Sequence, residues 1–292
     1  MATLSIRTLS DTLTTAATPW LDEAAERIHA VWDPLLGEDG PTPLKNALYG
    51  TWLGHPLHPA VTDVPLGLWS ASVLLDAAGM ERGADITLKA GTLGAVAAAA
   101  TGVAQWHDLQ NDEGPRRLGT LHATLNGGAT VLYGLSWVLR DSGSRRAGVL
   151  ASIAGLGLAG LAASMGGDLS YRLGVGVSRV AFEESPDDWT TVAAFADLED
   201  GALTRVEPDE GEPLVLLRQG DAVLAASATC THVGAPLDEG ERDGTCVTCP
   251  WHGSIFDLTD GHVVNGPATA PLHAFETRIH DGDVQVRATD AF

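Results

Sequence analysis

The chain has 292 residues, 45% of them apolar, and Asp plus Glu outnumber Lys plus Arg by 38 to 17, for a net charge of −21. That balance excludes a nucleic-acid partner, whose phosphates demand a basic face, and three cysteines exclude a disulfide framework. Lys45 and Lys89 are the only lysines, and excess carboxylate with so little lysine fits a halophilic source better than a merely acidic surface, because it keeps a protein hydrated in concentrated salt.

Residues 1–50 read as an N-terminal amphipathic helical segment. Between Leu9 and Gly37, the residues Leu21, Ala25, Ile28 and Trp32 recur at helical spacing. No basic n-region with a cleavage site of the secretory kind precedes it. The helix is expected either to lie in a membrane interface or to pack on a neighbouring bundle.

Residues 51–178 hold four apolar stretches, Val64–Met80, Ile86–Ala104, Leu118–Leu139 and Ala147–Gly166. Each approaches the roughly 20 residues that a membrane helix needs. Their Ala and Gly content suits close helix approach, and charges fall mainly in the connections. A four-helix transmembrane bundle is therefore expected in place of a soluble one. An even number of spans puts both ends of this segment on one side of the bilayer. His55 and His58 precede the first span, His107 follows the second, His122 opens the third and Asp168 follows the fourth, so all fall on that side. His122 and Asn126 share a helix face. Three readings compete for these histidines. They ligate a b-type haem, or they form a quinone or proton-handling site with Asp63, Asp108 and Asp168, or they cap and anchor helix ends.

The stretches LGHPLHPAVTDVPLG and GGDLSYRLGVGV together resemble a family of small four-helix membrane domains with an HPxHP-type motif, which takes in His55 and His58. That resemblance implies a multi-pass membrane location and carries no activity. Positive residues tie between the two sides, with Lys45, Arg116, Arg117, Arg172 and Arg179 on one and Arg82, Lys89, Arg140, Arg145 and Arg146 on the other.

Residues 179–186 read as a linker and 187–292 as a small antiparallel β domain. In PLVLLRQGDAVLAA a strand, a turn at Gly220-Asp221 and a second strand follow one another. Further on, Cys230-x-His232 and Cys249-x-x-His252 stand sixteen residues apart. Two thiolates and two imidazoles, delivered in two Cys/His pairs, suit a binuclear cluster with one soft iron and one imidazole-bound iron. A structural zinc using Cys246 and Cys249 is the alternative, although it explains neither the GxPL loop nor the CPWHG context. Cys246 lies in an alternating run and reads as a buried, inert strand thiol.

The run from Cys230 to Pro271, with CTHVGAPLDEG, VTCPWHGSIFDLTDGHV and NGPATAPL, resembles the Rieske ferredoxins of ring-hydroxylating oxygenase systems. The resemblance implies a [2Fe–2S] cluster, with Cys230 and Cys249 on one iron and His232 and His252 on the exposed one. Rieske proteins of quinol-oxidising complexes carry a bridging cysteine pair where this chain has Ala235 and Trp251, and a tyrosine where it has Phe256. Ser254 remains as a hydrogen-bond donor. Fewer hydrogen bonds to cluster sulfur imply a low potential within the Rieske range. The missing bridge and the lack of an export signal place the domain on the cytoplasmic face of the cell membrane.

The expected fold is thus a four-helix transmembrane bundle followed by an all-β Rieske domain. The expected function is a membrane-anchored carrier passing single electrons to or from a redox protein or a membrane quinone. The alternative is an iron–sulfur subunit of an oxidoreductase or oxygenase system. Against catalysis by this chain itself, it has no mononuclear-iron domain, flavin motif or GxGxxG fingerprint. A third reading is an anchor whose cluster senses redox state.

Overall fold

The computed structural model describes residues 6–37, 42–110, 112–209 and 211–289. They form two compact units: residues 1–41 with 56–175, and residues 42–55 with 176–292.

The first unit is helical. Helices α1 (Ile6–Ala16) and α2 (Thr18–Leu36) are followed by α4 (Leu57–Ala77), α5 (Glu81–His107), α6 (Glu113–Asp141) and α7 (Arg145–Tyr171). The expected single N-terminal helix is broken at Ala17, with Pro19 setting the first turn of α2. Of the two expected positions for α2, packing on the bundle is the one observed. Leu21 and Ala25 are fully buried, and Leu21 packs with Leu118, Leu121 and Met165.

The Asp22 carboxylate takes both Arg117 Nε and Nη2 at 2.8 Å, and Arg116 Nη2 at 3.0 Å. The hydrogen bond from Arg117 holds Asp22 below its ordinary value of 3.8, against the opposing effect of burial. A lowered acid stabilises the fold above its ordinary pKa and loses that contribution as the pH falls through the folded value. Asp22→Asn should therefore loosen α2 near neutral pH and flatten the acid limb of its stability below pH 3.8, read as protease protection of α2 against pH.

Helices α4 to α7 are a duplicated hairpin with an offset of 64 residues, and two polar contacts inside the first pair recur in the second. His58 Nδ1 meets Ala98 O at 2.9 Å, and His122 Nδ1 meets Ala162 O at 2.8 Å. Ser72 donates to Ala84 O and Ser136 to Gly148 O. Trp69 and Tyr133 occupy matching positions and stack on each other at 4.1 Å where the two hairpins meet. Glycine is required beneath these rings. A Cβ on Gly91 would lie 2.8 Å from Trp69, and one on Gly155 would lie 2.9 Å from Tyr133.

All four helices are longer than the apolar stretches that announced them. Among the described residues only α5 and α7 are both long and apolar enough by composition to cross a membrane. Helix α4 carries His58, Asp63, Asp76 and two prolines within its length, and α6 carries Arg116, Arg117, His122, Asn126 and Arg140.

The second unit holds two antiparallel sheets. The larger has strand order β1 (Thr190–Ala194), β10 (Asp283–Ala288), β9 (Ala274–His280), β4 (Ala222–Ser227), β3 (Leu214–Gln219) and β2 (Leu203–Val206). The smaller runs β5 (Glu241–Asp243), β6 (Cys246–Thr248), β7 (Ile255–Asp257) and β8 (Val263–Asn265). The expected hairpin forms, with Gln219 paired to Ala222 across Gly220-Asp221 and Gly220 at φ +62°. The run LVLL of β3 is buried on both faces. Val215 and Leu217 pack towards Phe256 and the cluster-motif cysteines, while Leu214 and Leu216 pack against Phe275 and Val284.

The segment 42–55, placed by sequence with the N-terminal and membrane parts, packs instead with this β unit. Its helix α3 (Thr42–Tyr49) presents Asn46 Oδ1 to Gly266 N–H at 2.9 Å. A side chain at Gly266 would stand 3.1 Å from both Tyr49 and Thr51.

Candidate metal centre

The two Cys/His motifs fold into matching loops, one after β4 and one between β6 and β7. Gly234 N–H donates to Cys230 O at 2.9 Å and Gly253 N–H to Cys249 O at 3.1 Å. Cys230 N–H donates to Ala235 O at 2.9 Å and Cys249 N–H to Ser254 O at 2.7 Å. Both turns need a residue in the left-handed region, filled by Gly234 at φ +91° and Gly253 at φ +72°.

Within each loop the backbone amides aim at sulfur. Those of His232 and Val233 face the Cys230 sulfur, and those of Trp251 and His252 face the Cys249 sulfur. The two thiols touch. A hydrogen bond from Cys230 holds Cys249 down to about 6, and the same contact, with burial, pushes Cys230 up. The loops bring His232 and His252 together at 5.0 Å between ring centroids, with perpendicular planes. Both cysteines are buried, at 1% and 2% exposure, whereas both imidazoles are only half-buried.

This donor set suits a binuclear cluster: two buried soft donors for an inner iron, and two half-buried imidazoles for an outer one. The zinc alternative does not find its pair. Cys246 is opposite Asp257 and Asp243 in the sheet register, and Cys249 contacts Cys230 instead. Cys246 is half-buried, not buried as expected, because it lies on the face of β6 opposite the buried Val247. Burial and the nearby Asp257 still push its thiol up, which keeps it protonated and inert.

A third loop closes over the pair. Ser254 Oγ accepts from Ala268 N–H at 3.0 Å, and Thr231 Oγ1 donates to Ala270 O at 2.8 Å. Asn46, Tyr49 and Thr51 brace this loop through Gly266, a support that no local sequence signal announces. Ala235 is buried, Phe256 lies in the core behind the cysteines, and Trp251 is 53% exposed beside His252.

Of the four histidines expected to act together at the helical bundle, only His58 and His122 meet. His55 falls in the β unit. His58 and His122 meet edge to face, with centroids 6.2 Å apart, each over a glycine notch at Gly102 or Gly166. Asn126 Nδ2 lies 3.1 Å from His122 Nε2, so with Nδ1 on Ala162 O both nitrogens of that ring are engaged. Bis-imidazole haem ligation needs one of them, and the residues present do not fit a haem. His107 lies elsewhere, stacked on His29 at 4.2 Å. Burial holds the His29 imidazole below its ordinary range, with His107 adding to the effect.

Residues 188–276 match the family described as the Rieske [2Fe-2S] domain, and residues 54–179 match the family described as predicted membrane protein (DUF2231). The chain is 39% identical over 98 residues to the Ferredoxin CarAc of Metapseudomonas resinovorans, covering 34% of this chain and 92% of that one. It is 33% identical over 100 residues to the anthranilate 1,2-dioxygenase ferredoxin subunit of Burkholderia cepacia, covering 34% and 91%. Among solved structures, the complex of reduced oxygenase and oxidized ferredoxin in carbazole 1,9a-dioxygenase matches at 36% identity over 35% of this chain and 97% of that one, with a TM-score of 0.33.

Proposed function

Because this chain belongs to the Rieske [2Fe–2S] family through its C-terminal third, we propose that it is a membrane-anchored carrier of single electrons. Cys230 and Cys249 hold the inner iron of the cluster, and His232 and His252 the outer one. When bound, the cluster supplies reversible one-electron exchange. The observation that carries this reading is the contrast between two buried, touching thiols and two half-buried imidazoles at the tips of matching loops. The imidazole edges are the exit to the partner, and exposed Trp251 beside them offers an apolar contact for docking.

Helices α4 to α7 are the anchor. Large apolar side chains point outward on all four, including Leu74, Leu93, Val96, Val131, Val138 and Leu150, each more than 60% exposed. The interior holds the Trp69–Tyr133 stack among many buried Ala and Gly residues, together with buried Ser72, Ser136, Ser152 and Arg140. A soluble bundle would invert that pattern, so all four helices are read as spans even though two pass on composition alone. The cluster domain is assigned to the cytoplasmic face, and the partner to a redox protein or a membrane quinone. Halophilic origin remains the reading of the acidic surface.

No bridge can form at Ala235 and Trp251, and Phe256 brings no hydroxyl, so few donors stabilise the reduced cluster. An EPR-monitored redox titration of the detergent-purified protein should give a Rieske signal with a midpoint in the lower part of the range of about −150 to +300 mV. A midpoint near the upper limit would overturn the low-potential assignment, and absence of the signal would overturn the carrier itself.

A further inference from the structure

The stacked pair His29 and His107 belongs to a second cluster of ligating groups, lying wholly within the helical unit and independent of the iron–sulfur reading. His29 and Asp33 are four residues apart on α2, so both project from one face of that helix. His107 is the last residue of α5. One donor atom from each of the three lies within 4.8 Å of the others.

Three features separate this cluster from a chance gathering of polar groups. The His107 side chain is only 7% exposed, yet its Nε2 is buried with no hydrogen-bond partner, which is costly for a ring nitrogen. That nitrogen faces Asp33 Oδ1 at 3.5 Å. The gap is too long for a hydrogen bond, but it matches two donors sharing one ion, since ligands about 2.1 Å from a tetrahedral centre lie about 3.4 Å apart. On the far side of the ring, His107 Nδ1 faces the carboxylate of Asp108 at 3.8 Å, and Asp108 Oδ2 is itself buried without a hydrogen-bond partner. A carboxylate behind a ligating imidazole fixes its tautomer and strengthens it as a donor.

We propose that His29, Asp33 and His107 bind one divalent transition-metal ion of borderline softness, with Zn(II) the simplest occupant. Two imidazoles and a carboxylate, with no thiolate, select this class over both soft Cu(I) and hard Ca(II). Asp33 is 55% exposed, so the ion faces water on that side, and three protein donors leave a coordination position for it. The ion would tie α2 to the end of α5 and relieve the unpartnered nitrogen of His107.

The test uses the full chain in detergent, stripped with EDTA and then dialysed against Zn(II), with zinc and iron counted in the same sample. The expected result is one zinc per chain in protein that retains about two irons, so that the Cys/His loops are known to be filled. Asp33→Asn, at an exposed position where packing is undisturbed, should weaken zinc binding about tenfold or more. His29→Ala and His107→Ala should abolish it with the cluster spectrum unchanged. The proposal is overturned if iron-replete wild-type protein takes up no zinc, if zinc enters only as iron is lost, or if Asp33→Asn and His29→Ala bind zinc as the wild type does.

Discussion

Cys249→Ser should remove the cluster completely: iron falls from about two per chain to a trace, and both the visible absorption and the EPR signal disappear. The reason is chemical and local. Cys249 is 2% exposed, and its sulfur receives the amides of Trp251 and His252 and touches the sulfur of Cys230. A serine oxygen at that place is a harder donor that binds the inner iron poorly. The informative control is Cys246→Ala, three residues upstream. Cys246 lies against Asp257 and Thr245, so its removal should leave iron content unchanged. Loss of the cluster from Cys246→Ala, with retention in Cys249→Ser, would reverse the assignment of the thiols.

The second large effect is expected at the opposite end of the helical hairpins from the histidines. Arg140 is 1% exposed in its side chain and forms hydrogen bonds with Asp76 at 2.5 Å, Asp85 at 2.9 Å, Ser136 at 3.0 Å and Ser152 at 3.1 Å. Asp76, 5% exposed, occupies the position in the first hairpin that Arg140 occupies in the second. The duplication has thus placed opposite charges at equivalent sites, where they pair across the bundle. Arg140→Leu strands the Asp76 carboxylate in a buried site and should cost about 3–5 kcal/mol, towards the lower figure because Arg145 also reaches Asp76 at 2.6 Å. Arg140→Leu combined with Asp76→Leu should recover much of that loss, since two apolar residues replace a desolvated pair. Unfolding of the detergent-purified protein by SDS or heat reads both. Equal stability of Arg140→Leu and the wild type would mean that water reaches the network.

Much of this was legible in the residues themselves. The spacing of Cys230, His232, Cys249 and His252 named a mixed thiolate–imidazole centre, because chemistry that needs two kinds of ligand leaves two kinds of residue at short, regular intervals. The Gly220-Asp221 turn and the β period were local as well, since a two-residue hairpin is decided by its own backbone angles. The four helices were visible as apolar runs. Their full lengths were not, because the ends of α4 and α6 carry polar residues that interrupt the apolar run.

Only the tertiary structure could separate the histidines. His55, His58, His107 and His122 all flank apolar runs at one end of the bundle, and along the chain they are equivalent. Folding sends His55 to the β unit, locks His58 and His122 onto Ala98 and Ala162, and leaves His107 stacked on His29. The spacing of His29 and Asp33 was there to be read, but two residues on one helix face make no site until a third donor arrives from a residue 74 or more positions away. In the same way Asn46 braces Gly266 across 220 residues of chain. The candidate ligands were therefore written in local spacing. Which ligands meet was decided by packing, because side-chain contact between distant segments depends on how helices and loops bury their surfaces and leaves no periodic trace in the chain.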